Sequence, residues 1–241
     1  MAFEYPTIRK VLYLDSTPER FARAERVARE RLEAESTFRT GIMLEHGELF
    51  LAVPRQLSVA HEQILRKERR VSALWRQLPR VALGAYVRSL IGDEVVSSNE
   101  IEGVYSTRRQ IKDALEATAD KHAPFAEFAR LYLGITENNA SYPKTPGAIR
   151  SIYDAVVGDT LAPECELGDS LFRRDGVELY GAGGKRVHVG VAPDRIAPYI
   201  EEMLRLAHRE DIPEVFCAAL CHFLFEYIHP FFDGNGRTGR Y

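Results

Sequence analysis

The stretch from residue 213 to residue 240 constrains the fold of this chain more than any other part of it. Residues 213–228 are mostly apolar at helical spacing, which predicts a buried helix. Pro213 suits the first turn of that helix, and Pro230 ends it, because the residue before a proline is disfavoured in the α conformation. His229 is therefore expected at the mouth of a buried helix. One apolar stripe consists of Val215, Ala219, Phe223 and Tyr227, with Phe216, Leu220 and Leu224 beside it.

The residues after this helix have the composition of a site for phosphate chemistry. They read HPFFDGNGRTGR. The glycines allow backbone conformations closed to other residues and let phosphate oxygens approach main-chain amides. A helix beginning near Gly236 directs free N–H groups at the same place, and Arg237 and Arg240 share one face of it. Asp233 supplies a hard oxygen ligand suited to Mg²⁺, which binds through one or two carboxylates and substrate phosphates.

Each of these features also has an ordinary structural explanation. A histidine after a helix is usually structural, and an Asp-Gly-Asn-Gly sequence is usually a turn. Two arginines three residues apart usually form a solvated face. Their occurrence together, in one fixed order, is what indicates a functional site.

In this order the residues resemble the signature of the Fic family, HPFx(D/E)GN(G/K)RxxR, and match it at every specified position. The resemblance implies an α-helical domain that transfers AMP from ATP to a hydroxyl side chain of a target protein. By position, His229 would be the general base, a role that needs a pKa near neutral. Asp233 would hold Mg²⁺ on the α and β phosphates. The remaining phosphate contacts would come from Asn235, Gly236, Arg237 and, at the γ-phosphate, Arg240.

A second match to the same family lies far upstream. Ser98, Glu102 and Gly103 fit the pattern S/T-xxx-E-G/N of the Fic inhibitory helix. In proteins with that helix the glutamate pairs with the second arginine of the signature and keeps the γ-phosphate out, so the resemblance pairs Glu102 with Arg240. The ordinary explanation of the short pattern is a helix that stops at Gly103. The complete signature downstream favours the inhibitory helix.

One stretch breaks the helical pattern. Residues 177–180 and 186–189 flank a glycine-rich run, which predicts a β-hairpin. In the Fic family such a hairpin, the flap, covers the active site and holds the target segment, and an exposed edge would accept it by strand addition. An ordinary surface hairpin is the alternative. The residues expected to dock the target are Lys185, Arg186, Val187 and His188.

The rest of the chain predicts helices and one further hairpin. Thr107 and Gln110 predict a capping box at the start of one helix. Residues 42–53 predict a small hairpin around His46. The predicted helices cover about residues 17–35, 58–78, 80–103, 107–122, 124–137 and 146–159, and a further one begins at residue 193.

The predicted fold class is therefore mainly α, with a Fic-type helical core, a small β-hairpin flap and an N-terminal helical extension. The predicted domains are an N-terminal helical extension over residues 1–90 and a Fic domain over residues 91–241. We expect this domain to be truncated at its C-terminal end, because a last helix of about six residues is too short to be stable without tertiary support.

Composition sets the expected partners. The net charge of −3 gives no general attraction to nucleic acid, and three cysteines form no metal pattern. No signal peptide or long apolar run appears. We expect a cytoplasmic protein that uses ATP and Mg²⁺ and acts on a target protein with a Ser, Thr or Tyr hydroxyl. Self-modification and a homo-oligomer are compatible with the sequence, and no nucleic acid or membrane is expected.

Two other functions stay open at this point. One is a Fic-fold enzyme with another outcome: removal of AMP assisted by Glu102, transfer of another nucleotide, or phosphoryl transfer. Gly236 argues against the phosphotransferase branch, which carries lysine there. The other is a catalytically silent binding module, such as half of a toxin–antitoxin pair, against which the intact His229 and Asp233 count.

Overall fold

The computed structural model describes residues 5–116, 125–136, 142–181 and 183–241. The chain divides into two compact units. The first comprises Met1–Leu74 and Asp211–Phe216, and the second comprises Trp75–Glu210 and Cys217–Tyr241. The predicted domains, residues 1–90 and 91–241, stay a prediction, and the limit between them lies downstream of the division between the units.

The first unit combines helices with an antiparallel hairpin. Its elements are α1 (Ile8–Leu14), α2 (Arg20–Glu33), β1 (Thr37–Leu44), β2 (Gly47–Ala52) and α3 (Arg55–Trp75). In the hairpin Leu44 is opposite Gly47, so a two-residue turn joins the strands, as predicted. Helix α1 was not predicted from the sequence. Its first turn is closed by Thr7, whose hydroxyl accepts a hydrogen bond from the amide of Lys10 at 3.1 Å.

The second unit is mainly helical. Its helices are α4 (Arg80–Ile101), α5 (Arg108–Glu116), α6 (Ala126–Thr136), α7 (Pro146–Val157), α8 (Pro193–Leu206), α9 (Glu214–Ile228, in this unit from Cys217 onward) and α10 (Asn235–Arg240). Strands β3 (Glu178–Tyr180) and β4 (Arg186–Val189) pair antiparallel. The prediction of a mainly α chain with a small hairpin is confirmed. The predicted helix ends near residues 122, 124 and 137, and Ala182 in the hairpin, lie outside the described residues.

Local sequence explains where several of these helices begin and end. The amide of Thr107 donates to Oε1 of Gln110 at 2.8 Å, and the amide of Gln110 donates back to Oγ1 of Thr107 at 3.3 Å, which confirms the predicted capping box. Thr145 caps α7, with Pro146 in its first turn. Helix α4 stops at Gly103, which has a φ of +72° that favours glycine, as the sequence predicted.

The core of the second unit fixes the helices that carry the site. Val95 of α4, Ile111 of α5 and Phe128 of α6 have no exposed surface and pack in one cluster with Val156 of α7. Because α4 is held against three neighbours, its C-terminal end has a defined position. None of the helices in the described ranges is both long and apolar enough to cross a membrane.

Helix α9 departs from the expectation of a helix buried on all sides. Leu220, Leu224 and Cys221 are buried, whereas Ala219 is exposed and Phe223 is 52% exposed. The stripe that includes Ala219 and Phe223 is therefore the outer one. The physical reason is that the helix is apolar around most of its circumference, so spacing alone does not distinguish its inner face from its outer face. Cys221 is a small core residue.

Candidate functional site

An ion pair joins Glu102, directly after α4, to Arg240, the last residue of α10. Nη2 of Arg240 lies 2.7 Å from Oε1 of Glu102, and the two side chains are 24% and 26% exposed. Arg240 also donates from Nε to the hydroxyl of Ser98 at 3.0 Å and from Nη2 to the carbonyl of Ser98 at 3.1 Å. The structure thus brings together Ser98, Glu102 and Arg240, which are distant in sequence, although their functional roles stay predictions.

The turn after α4 aims the Glu102 side chain. The carbonyl of Asn99 accepts from the amide of Glu102 at 3.1 Å and from the amide of Val104 at 2.9 Å. The buried Asn99 side chain donates to the hydroxyl of Ser106 at 3.0 Å. These bonds and the left-handed Gly103 reverse the chain directly after Glu102. The sequence motif contained Ser98, Glu102 and Gly103 but did not single out Asn99.

Gly236 gives this carboxylate room at the start of α10. A Cβ atom at residue 236 would overlap Oε1 of Glu102 and would lie 2.9 Å from its Cδ. A glycine is therefore required for the carboxylate to lie directly against the main chain of the predicted phosphate site. The Glu102 carboxylate occupies space that the resemblance assigns to phosphate.

The loop between α9 and α10 is closed by its own side chains. Asn235 is buried, its Oδ1 accepts from the amide of Phe231 at 3.0 Å, and its Nδ2 donates to the carbonyl of Phe231 at 2.9 Å. The Asn235 side chain therefore shapes the loop, which leaves its main chain for any phosphate contact. Gly234 has a φ of +76°, and a Cβ there would overlap Val157, so both conformation and space require glycine.

Arg237 is a buried cation with unused donors. Its side chain has no exposed surface, and Nη1 donates to the hydroxyl of Thr160 at 2.9 Å. Within the described residues Nε and Nη2 have no hydrogen-bond partner. Burial lowers the pKa of Arg237, while the charges of Asp233 and Glu102 act in the opposite direction. An unpaired buried donor costs roughly 1–3 kcal/mol, so an anion at this position would be strongly favoured. Thr160 was not predicted.

Asp233 lies beside this arginine and is exposed to solvent. One carboxylate oxygen accepts from the amide of Gly234 at 2.6 Å. Across the part of the chain that the structure describes, no cluster of three or more histidines, cysteines or carboxylates could hold a metal ion. A cation here would therefore take Asp233 and complete its shell with phosphate oxygens and water. That donor set fits Mg²⁺, which usually keeps several waters.

Tyr153 borders the same space. Its ring stacks on Phe231 with centroids 3.7 Å apart, and its buried hydroxyl makes no hydrogen bond to any described residue. Burial first, and then the charge of Asp233, raise the pKa of Tyr153, so the hydroxyl keeps its proton. The sequence did not identify Tyr153, because nothing local distinguishes it from an aromatic residue of an ordinary helix core.

His229 ends α9 in an unusual conformation. Its φ of +51° is left-handed, which costs a residue other than glycine roughly 1–3 kcal/mol and is typical of functional sites. Burial lowers the pKa of His229, and the charges of His188 and Arg173 lower it further. The main chain of Glu226 and the carboxylate of Glu102 act in the opposite direction. The imidazole is therefore neutral at pH 7, as a general base must be.

The β3–β4 hairpin is attached to α9 at the penultimate residue of that helix. Nε2 of His188 lies 2.8 Å from the carbonyl of Tyr227, and Arg186 pairs with Glu178 at 2.7 Å within the hairpin. Lys185 and Val187 are exposed. Of the predicted docking residues, Lys185 and Val187 are therefore open to a target segment, whereas His188 and Arg186 are already engaged.

Part of this chain is similar to known proteins. Residues 143–241 match the sequence model of the Fic/DOC family. A crystal structure of a Fic family protein from Desulfovibrio desulfuricans G20, at 2.70 Å resolution, matches with 19% sequence identity and a TM-score of 0.49 over 76% of this chain and 53% of that chain. This chain thus spans about half the length of that protein.

Residues 143–241 are thus similar to the Fic/DOC family, which confirms the resemblance that the signature predicted. That family includes enzymes that transfer AMP to proteins and enzymes with other activities. The match therefore indicates a Fic-type domain and does not by itself distinguish between these reactions.

The lowered pKa of His229 leads to a measurable titration. We expect the His229 ring to titrate with a midpoint below 6.5, the ordinary value for histidine, because burial disfavours the charged form. NMR of the ring protons across pH measures this midpoint, and His229→Ala identifies the resonance. Since the unfolded chain holds this proton more tightly, folding stability should rise with pH between the folded and unfolded values.

The reference for this titration is the same resonance in urea-unfolded protein. A folded-state midpoint at or above the unfolded one would show that burial does not control the charge of this histidine. The general-base role would then lose its electrostatic support.

Proposed function

We propose that this chain is a protein adenylyltransferase that moves AMP from ATP to a hydroxyl side chain of a target protein. The observation that supports it most is the loop between α9 and α10. At one end is His229, whose pKa is lowered, and just past the other end is Arg237, a buried cation with two nitrogens that have no partner among the described residues. A neutral base and an unsatisfied anion site at the two ends of one short loop suit the transfer of a phosphate-linked group.

The reaction then follows from these residues. His229 accepts the proton of the target hydroxyl, and the oxygen attacks the α-phosphorus of ATP. The bond from the α-phosphorus to the bridging oxygen breaks, and pyrophosphate leaves. Negative charge builds on the leaving group, where the guanidinium of Arg237 stabilises it. A Mg²⁺ ion held by Asp233 and the phosphates would neutralise part of the same charge.

We further propose that Glu102 restrains this activity. The Glu102 carboxylate accepts a hydrogen bond from Nη2 of Arg240 at 2.7 Å, and the hydroxyl of Ser98 accepts one from Nε of Arg240 at 3.0 Å. A guanidinium engaged in this way cannot give its bidentate fork to the γ-phosphate. ATP would then bind with its phosphates displaced, and a displacement of about 1 Å can cost on the order of 100-fold in rate.

The expected partner is a protein segment with an exposed Ser, Thr or Tyr. The edge of β3–β4 near Lys185 and Val187 would receive it by strand addition, with bonds to the backbone that tolerate many sequences. Self-modification is the simplest case to test. The proposal includes a cytoplasmic location, where ATP and Mg²⁺ are supplied.

A second candidate is the reverse use of the same site, the removal of AMP from a modified protein. The observation that favours it is the close approach of the Glu102 carboxylate to Gly236. From there Glu102 would take a proton from a water molecule that attacks the phosphorus. The bond from the phosphorus to the target oxygen would break, the target hydroxyl would regain a proton, and AMP would leave. Phosphoryl transfer is disfavoured, because its branch of the resemblance has lysine where this chain has Gly236.

Isotope labelling tests the proposed reaction. With Glu102→Gly protein and Mg²⁺, label from the α-phosphate of ATP should become attached to protein, whereas label from the γ-phosphate should not. His229→Ala in the same background should lower this labelling by roughly 10²- to 10⁴-fold, the usual value of a general base, with ATP binding retained. His46→Ala is the matched control, since His46 is exposed in the turn between β1 and β2. Transfer of the γ label would show that the reaction is phosphoryl transfer. Full activity of His229→Ala would show that His229 is not the general base.

Removal of the carboxylate tests the restraint. Glu102→Gly should raise α-label incorporation at least about tenfold, because Arg240 becomes free for the γ-phosphate. Glu102→Ala should give a similar rise, which separates loss of charge from the added flexibility of glycine. Glu100→Ala is the control, since Glu100 is exposed on the same helix and removes the same charge. An equal rise in the control, or an unchanged rate without Glu102, would refute the restraint.

A further inference from the structure

Arg173 is a buried cation that the signature does not include. It lies between α7 and β3, and its side chain is 2% exposed. The next residue, Arg174, is exposed and donates to the hydroxyl of Ser170. Two adjacent arginines thus differ completely in environment, and the buried one needs an explanation.

The guanidinium of Arg173 is satisfied by main-chain carbonyl groups. Nε donates to the carbonyl of His229 at 2.8 Å. The other nitrogens donate to the carbonyls of Asp175 at 2.6 Å, Ile228 at 3.4 Å and Val191. A rigid fork with several donors can join several strands of main chain at one point, which a flexible ammonium does less well.

The carbonyls that Arg173 joins belong to three separate segments. One lies just before β3, one just after β4 and one at the end of α9. Main-chain bonds tie the same segments: the amide of Arg173 donates to Pro230 at 3.0 Å, and the amide of Val191 donates to Ile228 at 3.1 Å. The segments just before β3 and just after β4, and the main chain at His229 and Pro230, are therefore held together at one guanidinium.

The bond to His229 is the one with a consequence for chemistry. A residue with a φ of +51° turns its carbonyl away from the helix that it ends, so this carbonyl needs a donor from elsewhere. Nε of Arg173 is that donor. The direction of the His229 side chain depends on this same main-chain conformation.

We propose that Arg173 is a positioning residue. It holds the left-handed main chain of His229 and the segments just before β3 and just after β4 together as one unit. The histidine ring and a target segment on the hairpin are thereby presented to each other in a fixed geometry. The proposal rests on the role of His229 as the base in the proposed AMP transfer. It adds a residue from outside the signature and a reason for the strained conformation.

Charge gives a second, independent trace of this arrangement. The groups that face the His229 ring are Arg173, His188 of β4, the main chain of Glu226 on α9, and Glu102 of α4. Burial is the largest influence on the ring, and the positive charge of Arg173 also disfavours a second cation. Removal of that charge should therefore raise the pKa of His229, whereas its retention should not.

Gly190 offers a way to disturb Arg173 without changing it. A Cβ at residue 190 would lie 2.7 Å from Nη2 of Arg173 and 2.7 Å from Cγ2 of Val177. The guanidinium is held by its hydrogen bonds and cannot yield freely. Gly190→Ala should therefore displace the guanidinium while its charge stays in the protein.

The test uses four variants of the whole chain in the Glu102→Gly background: Arg173→Met, Arg173→Lys, Gly190→Ala and the control Arg174→Met. NMR of the His229 ring reports its environment and titration midpoint, and α-labelled ATP reports kcat and KM. Arg173→Met should change the ring signal, raise its midpoint and lower kcat at least about tenfold, with KM for ATP unchanged. Arg173→Lys should restore the midpoint and part of kcat. Gly190→Ala should lower kcat with a smaller change of midpoint, and Arg174→Met should match the parent.

The proposal is overturned if Arg173→Met folds, by circular dichroism and melting temperature, and leaves the ring signal, the midpoint and kcat unchanged. If Arg173→Met does not fold, Arg173→Lys and Gly190→Ala decide, and an unchanged ring signal and kcat in both also overturn it. A parent protein that transfers no label contradicts the proposed function, whereas the ring signal still tests the position of His229. An active parent with an unaffected ring contradicts only the role of Arg173.

Discussion

The contact between Glu102 and Arg240 is the interaction on which this account of the site depends. It joins residues 138 positions apart and ties the end of α4 to the last residue of α10. With both side chains about a quarter exposed, such a pair contributes little stability, typically below about 1 kcal/mol. Its importance is that it occupies a guanidinium and lies over Gly236, where phosphate is expected. The buried core around Val95 fixes the position of α4, so the contact forms without the ordering of a flexible segment.

Two buried arginines of the second unit show how structural and ligand-binding roles differ physically. Arg173 donates hydrogen bonds from its guanidinium nitrogens to main-chain carbonyls, so it needs no ligand to compensate its burial. Arg237 is as deeply buried but has one bond, to Thr160, and two nitrogens without a partner in the described ranges. A buried cation whose hydrogen-bond donors lack partners favours the binding of an anion beside it. These surroundings support the proposals that Arg173 positions His229 and that Arg237 binds phosphate.

The sequence predicted the parts of this site that are local in the chain. The signature order and the stop at Gly103 could be inferred from short motifs, and the caps and hairpins from their turn residues. The pairing of Glu102 with Arg240 is not local and was implied by the resemblance to the Fic family. Arg173 could not be inferred, because a buried arginine is recognised by carbonyls that only the fold assembles. The outer face of α9 was also missed, since Phe223 looks no different from a core residue when a helix is apolar on most sides. The prediction that Asn235 lines the phosphate site stays a prediction, and the hydrogen bonds by which its side chain closes the loop were not foreseen.

The most direct test of the central contact is the affinity of ATP and ADP for the unaltered chain and for Glu102→Gly, measured by calorimetry with Mg²⁺. ADP lacks the γ-phosphate, so its affinity should change little when the carboxylate is removed. ATP should bind more tightly to Glu102→Gly, because a freed Arg240 gains charge-assisted hydrogen bonds worth roughly 1.5–3 kcal/mol, or about 10- to 100-fold. An equal change for the two nucleotides, or none for ATP, would contradict the claim that Glu102 and the γ-phosphate compete for Arg240.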